Sequence, residues 1–157
     1  MSLIVIERRT DLPPAEAWRR LTTWERHSAG VPFTRIRVDT PPPQGLGTRF
    51  TARTRVGPIR FDDPMRVTVW TPPKGPEASH RPEGPAGGAG AGYCRLEKTG
   101  RYVTGWAEIE VAAEGTGSWV RWREELRVSR LPRALDGLTA VTGKLVFGRA
   151  VDTLLAD

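Results

Sequence analysis

The strongest constraint in this 157-residue chain is the position of one broadly apolar helical segment, residues 138–156, behind a long run of strand-like sequence. At 100° per residue, Leu138, Val141, Leu145, Phe147, Val151, Leu154 and Leu155 fill a wide arc, with Thr139, Thr142, Arg149 and Thr153 opposite. A helix this apolar needs a concave partner. A sheet curled around it is expected to enclose a cavity, and cavities are where ligands bind. Gly143 and Gly148 lie inside the apolar arc. Each costs about 1 kcal/mol relative to Ala in a helix interior. They predict either close approach of the helix to the sheet or space for a ligand. Asp152 projects between Val141 and Leu145, odd for a core face, which implies either pairing with an Arg of the early strands or fraying at the helix end.

The rest of the chain reads as β, short α, then a run of strands. Residues 2–9 carry Ile4, Val5 and Ile6 and read as a first strand. Pro13 and Pro14 open a short helix, Glu16 suits its positive end, and Ala17, Trp18 and Leu21 follow at helical spacing. Further strands are predicted over 34–39, 48–56, 59–63, 65–71, 93–99, 102–113 and 118–130. Met65, Val67 and Val69 are placed on one face, and Pro64 predicts a bulge or an edge break. In 102–113, Val103, Gly105, Ala107, Ile109 and Val111 alternate with polar residues. The expected class is α+β with an antiparallel sheet, in a single domain over 1–157. Residues 72–92 include five Pro and six Gly and almost no large apolar group, which predicts a mobile loop.

Composition excludes several functions. The net charge of +6 comes almost entirely from Arg scattered through the strands, since only Lys74, Lys98 and Lys144 are Lys. Together with abundant Ala, Gly and Pro, this reads as high-GC, bacterial-like coding and disfavours nucleic acid as the partner. The rival reading is an RNA- or ribosome-associating face of Arg53, Arg55, Arg121, Arg123 and Arg127. Cys94 is the single Cys and His27 and His80 the only His, so neither a disulfide framework nor a metal site is expected. No cofactor motif stands out. The apolar residues 1–6 are too short for a signal peptide, and nothing reaches the ~20 apolar residues of a membrane span. A cytoplasmic monomer or homodimer is expected, with Trp106 and Trp119 as a dimer patch if one forms.

One charged residue breaks the pattern. Glu124 falls between Trp122 and Leu126 on the face that otherwise reads as core. A buried carboxylate needs a partner or a shifted pKa. The structural reading pairs it with a strand Arg such as Arg53 or Arg66. The functional reading makes it a polar anchor for a ligand, or an acid/base group acting with Tyr102 or Arg53.

Residues 12–21, 45–50 and 117–126, followed by the terminal helix, together resemble the START-like, helix-grip (SRPBCC) superfamily, which includes polyketide cyclases/aromatases and Bet v 1-like proteins. Residues 12–21 look like its Pro-then-Trp opening helix, and 45–50, reading Gly-Leu-Gly-Thr-Arg-Phe, are similar to its Gly-x-Gly-Thr strand entry. Residues 117–126 resemble its penultimate strand, and the terminal helix completes the likeness. The resemblance covers nearly the whole chain, with 72–92 as the departure. It implies a helix-grip fold: about seven antiparallel strands wrapped around the long helix with an apolar cavity between. It transfers no activity, because that fold hosts carriers, cyclases and receptors. The expected function is binding of a small hydrophobic molecule (lipid, polyketide or isoprenoid-like), with a cyclase/aromatase or dehydratase-type enzyme as the alternative. Val67, Val69, Gly105, Ala107, Ile109, Trp122, Glu124, Val141, Leu145 and Gly148 are expected to line the pocket, Glu124 being the candidate catalytic residue.

Overall fold

The computed structural model describes residues 2–75, 90–129 and 136–156. Their order is β1 (Ser2–Thr10), α1 (Pro14–Thr22), a 3-10 turn (Trp24–Arg26), α2 (His27–Gly30), β2 (Thr34–Val38), β3 (Arg49–Val56), β4 (Ile59–Thr71), β5 (Gly92–Thr99), β6 (Val103–Glu114), β7 (Gly117–Val128) and α3 (Asp136–Ala156). Among the described residues, seven strands form one antiparallel half-barrel in the order β1-β7-β6-β5-β4-β3-β2. The α+β helix-grip layout expected from the sequence is the observed one.

Local chemistry accounts for the elements. Pro14 sits in the first turn of α1, where its missing N–H costs nothing, and Glu16 takes hydrogen bonds from Arg19 and Arg20. The opposite face of α1 buries Ala17, Trp18 and Leu21. Clean alternation in β7 sends Val120, Trp122, Glu124 and Leu126 into the concave face and leaves the Arg side chains between them half-exposed.

The apolar arc of α3 splits in two. Ala150, Val151 and Leu154 are buried and Phe147 and Leu155 pack against the core, whereas Leu145 is 66% exposed. The helix comes down closest on β1: a Cβ at Gly143 would collide with the Ile4 side chain. Close approach is therefore why that glycine is tolerated. Arg8 of β1 donates to Asp152 at 2.5 Å, so of the two alternatives the residue pairs with an early strand. Being exposed, that pair contributes at most about 1 kcal/mol.

Two strand expectations fail. Pro64 does not break β4, which runs unbroken from Ile59 to Thr71. Up to Pro64, β4 is paired on the β3 side alone, and β5 joins only from Met65, so no ladder bond requires the missing N–H. The irregularity falls between Val67 and Val69 instead, where the β4–β5 register shifts. That bulge flips the parity of the strand. Val67 is fully buried, but Val69 is turned outward and 37% exposed, and Trp70 faces buried Cys94 instead.

The expected loop 72–92 falls largely at 76–89, outside the described residues. Its base is closed: Lys74 N–H donates to the Gly90 carbonyl at 3.0 Å.

Candidate functional site

Between the concave face of the sheet and the helices lies a cavity of about 220 Å³. The inward residues of each strand from β2 to β7 line it: Thr34 and Ile36; Phe50, Ala52 and Thr54; Phe61, Asp63 and Met65; Leu96 and Lys98; Val103 and Ala107; Trp122, Glu124, Leu126 and Val128. Phe147 of α3, Trp24, His27 and Val31 close it. Trp24 stacks on Phe50 with centroids 4.6 Å apart, and Trp122 lies 6.4 Å from Phe147. The walls are therefore aromatic and aliphatic, with one charged cluster among them.

That cluster is Asp63, Lys98 and Glu124, all buried. The Lys98 ammonium donates to Asp63 Oδ2 at 2.6 Å and approaches Met65 Sδ at 3.6 Å. It also stands 3.1 Å from Glu124 Oε1 as an ion pair, at an angle that does not suit a hydrogen bond. The other Glu124 oxygen, Oε2, accepts from the Trp122 indole N–H at 3.1 Å. Sheet register makes the contact across β6 feasible: Leu96 faces Ala107, which faces Glu124, and Lys98 faces Gly105. Small residues on the intervening strand let the lysine stem reach over it.

Burial alone would lower the Lys98 pKa, but Glu124 and Asp63 outweigh it and hold the ammonium above its ordinary value. A lysine so held is neither a nucleophile nor a general acid near neutral pH. For Asp63, burial dominates the pull of Lys98 and raises the carboxyl pKa. Asp63 Oδ1 and Trp24 Nε1 are buried without a hydrogen-bond partner among the described residues. An unpaired buried polar atom of this kind costs about 1–3 kcal/mol.

His27 is also buried, its Nε2 2.8 Å from the Leu21 carbonyl and its ring between Trp24 and Trp122. Burial pushes its pKa down to about 4, so at neutral pH the ring is uncharged and Nε2–H is the donor to Leu21. The Cys94 thiol is pushed up to about 12 by burial and is inert. No group of His, Cys, Asp and Glu among the described residues suits a metal ion, and no described helix is long and apolar enough to cross a membrane.

A larger outer groove of about 1240 Å³ adjoins the cavity, the two sharing Val31 and Thr34. Arg35, Arg53, Arg55, Arg60 and Arg149 line it, together with Phe33, which is 73% exposed at a positive φ of 59°, and Leu145.

Of the residues expected at the pocket, Ala107, Trp122 and Glu124 line the cavity. Val67 and Ile109 are fully buried in the surrounding core, Val69 is on the outer side, and Leu145 lines the outer groove. Gly105 leaves no room for a ligand: its φ is +138° and an added Cβ would strike the Glu125 carbonyl of β7. A Cβ at Gly148 would lie 3.3 Å from the Arg8 guanidinium, away from the cavity. The side chain of Val141 lies outside the described residues. The expected partners of Glu124 are elsewhere too. Arg53 is exposed and bound to Asp62 at 2.7 Å, and Tyr102 is 47% exposed. The partners of Glu124 are Lys98 and the Trp122 indole, and Lys98 also holds Asp63; strand parity already sets Asp63 between Phe61 and Met65 and Lys98 two residues past Leu96.

The Arg-rich outer face is largely neutralised. Glu108 accepts from Tyr93, Arg95 and Arg123, and Glu110 accepts from Arg121. The Arg95 and Arg121 guanidinium groups lie 4.7 Å and 5.1 Å over Trp106 and Trp119, covering the proposed dimer patch.

No protein-family model matches the chain, and no curated protein matches it by sequence. Solved structures do match in fold. XoxI from Bacillus cereus is similar with a TM-score of 0.65 at 11% identity, covering 99% of this chain and 94% of that one. TTHA0849 from Thermus thermophilus matches with a TM-score of 0.63 at 15% identity over 98% of this chain and 92% of that one. Ara h 8.0201 matches with a TM-score of 0.60 at 12% identity over 99% and 98%. These three share the helix-grip fold, and this chain has that fold.

Two outcomes follow from the site. Replacing Lys98 with Met strands two buried carboxylates, so urea denaturation at pH 7 should show a loss of about 3–5 kcal/mol. Adding Asp63→Leu and Glu124→Gln should recover most of that loss. His27 has a folded-state pKa below its unfolded value, so its contribution is full above pH 6.5 and is lost as pH falls toward 4. That loss should approach about 3 kcal/mol. In His27→Phe, stability measured from pH 7 to 4 should fall less than in the wild type by about that amount.

Proposed function

We propose that this chain binds a small, mainly apolar molecule, isoprenoid- or polyketide-like, in the cavity between the sheet and α3. The observation that carries the reading is the hollow itself: about 220 Å³ bounded by Trp24, Phe50, Phe61, Leu96, Trp122 and Phe147. Close-packed interiors contain few voids larger than a water molecule, so a space of this size inside a core is a binding feature by default.

Its volume sets the ligand's size. An apolar cavity of about 150 Å³ takes up benzene, whereas drug-sized ligands occupy about 300 Å³ or more. A bicyclic skeleton falls between these limits. A longer acyl chain would extend past Val31 and Thr34 into the outer groove. Specificity then comes from the few polar groups among the apolar walls.

Naphthalene serves as a minimal probe. On titration it should shift the indole N–H resonances of Trp24 and Trp122 in heteronuclear NMR spectra, while Trp119 on the outer face stays unmoved. Ile36→Trp, which adds bulk to the cavity wall, should weaken binding about tenfold without altering the fold. If the cavity-facing indoles do not move, or if Ile36→Trp binds as well as the wild type, the cavity is not the site.

A further inference from the structure

Resting on the cavity-binding reading, we infer that Asp63, Lys98 and Glu124 form the polar end of the pocket and select an apolar ligand whose one polar head is a hydrogen-bond-donating hydroxyl. Donors and acceptors at that end are unevenly used. The Lys98 ammonium donates to Asp63 Oδ2 and toward Met65 Sδ, and it pairs with Glu124 Oε1 by charge without a hydrogen bond. The Trp122 indole N–H is committed to Glu124 Oε2. Among the described residues no donor reaches Asp63 Oδ1, although the atom is buried and its side chain lines the cavity.

A carboxylate oxygen accepts. The head that suits this end is therefore a donor, and an ether or carbonyl of the same size is not. The charge balance points the same way, because one ammonium faces two carboxylates and the cluster has acceptors in excess. A hydroxyl also carries lone pairs, and the Trp24 indole N–H, buried without a partner, lines the same space. The cluster's position further sets ligand orientation. Asp63, Lys98 and Glu124 stand on β4, β5 and β7, whereas Val31 and Thr34, which adjoin the outer groove, precede and open β2. The hydroxyl end enters first and the apolar remainder lies toward the groove.

The test compares three bicyclic probes of similar shape by titration calorimetry: naphthalene, 2-naphthol, and 2-methoxynaphthalene, which has the oxygen but no donor. A hydrogen bond to a charged acceptor makes 2-naphthol bind about tenfold or more tighter than either of the others. Asp63→Leu, which leaves the Lys98–Glu124 pair balanced, should bring 2-naphthol to within about twofold of naphthalene. Equal affinity of 2-naphthol and 2-methoxynaphthalene for the wild-type protein overturns the donor assignment while leaving cavity binding intact. Binding of none of the three overturns the cavity reading and this inference with it. The wild-type comparison decides the matter even if Asp63→Leu does not fold.

Discussion

A single ammonium held between two carboxylates on the concave face sets the character of this structure. Burying Lys98 with no partner would be prohibitive, and burying Asp63 and Glu124 with no cation equally so. The three residues come from β4, β5 and β7, so their contact requires the strand order and register to be right across four neighbouring strands. Gly105 and Ala107 on β6 are small where the lysine stem crosses. Such a cluster is weak evidence of stability, because a well-packed apolar replacement is often as stable or more so. Under the proposed reading, its place in an otherwise apolar hollow serves the polar head of the ligand.

The sheet and α3 divide the remaining work. Close approach at Gly143 and Ile4 anchors the helix to the β1 edge, while Ala150, Val151 and Leu154 seal it into the core. Away from β1, aromatic side chains bound the space between the sheet and the helices. Trp24 on Phe50 and Trp122 near Phe147 are rigid props with few rotatable bonds, so they bound a space without filling it. Neutral His27, tied to Leu21, completes that wall without adding charge.

Much of this was legible in the residues. The alternation in β6 and β7, the proline opening of α1 and the width of the apolar arc on α3 indicate an antiparallel α+β fold curled around the terminal helix, and the family resemblance implied the helix-grip layout. Glu124 declared itself by standing in a core column. Its ion-pair partner Lys98 did not, because that pairing depends on register two strands away, which periodicity cannot supply. Arg53 and Arg66 have the right charge but point outward. Val69 was misplaced because a bulge changes parity without a sequence mark, and Pro64, the visible mark, sits where no hydrogen bond is needed. Leu145 belongs to the apolar arc yet lies in an open groove, since an arc of more than half a circumference exceeds what one concave sheet can cover.

A ligand can enter only if the space among Trp24, Phe50, Trp122 and Phe147 is hollow in the folded protein. A crystal structure determined under xenon pressure tests this most directly, since xenon enters dry apolar voids and not close-packed cores. The expected result is a xenon site enclosed by those aromatic rings, on the side away from Lys98. Side chains packed through that volume, with xenon absent at saturating pressure, would contradict it.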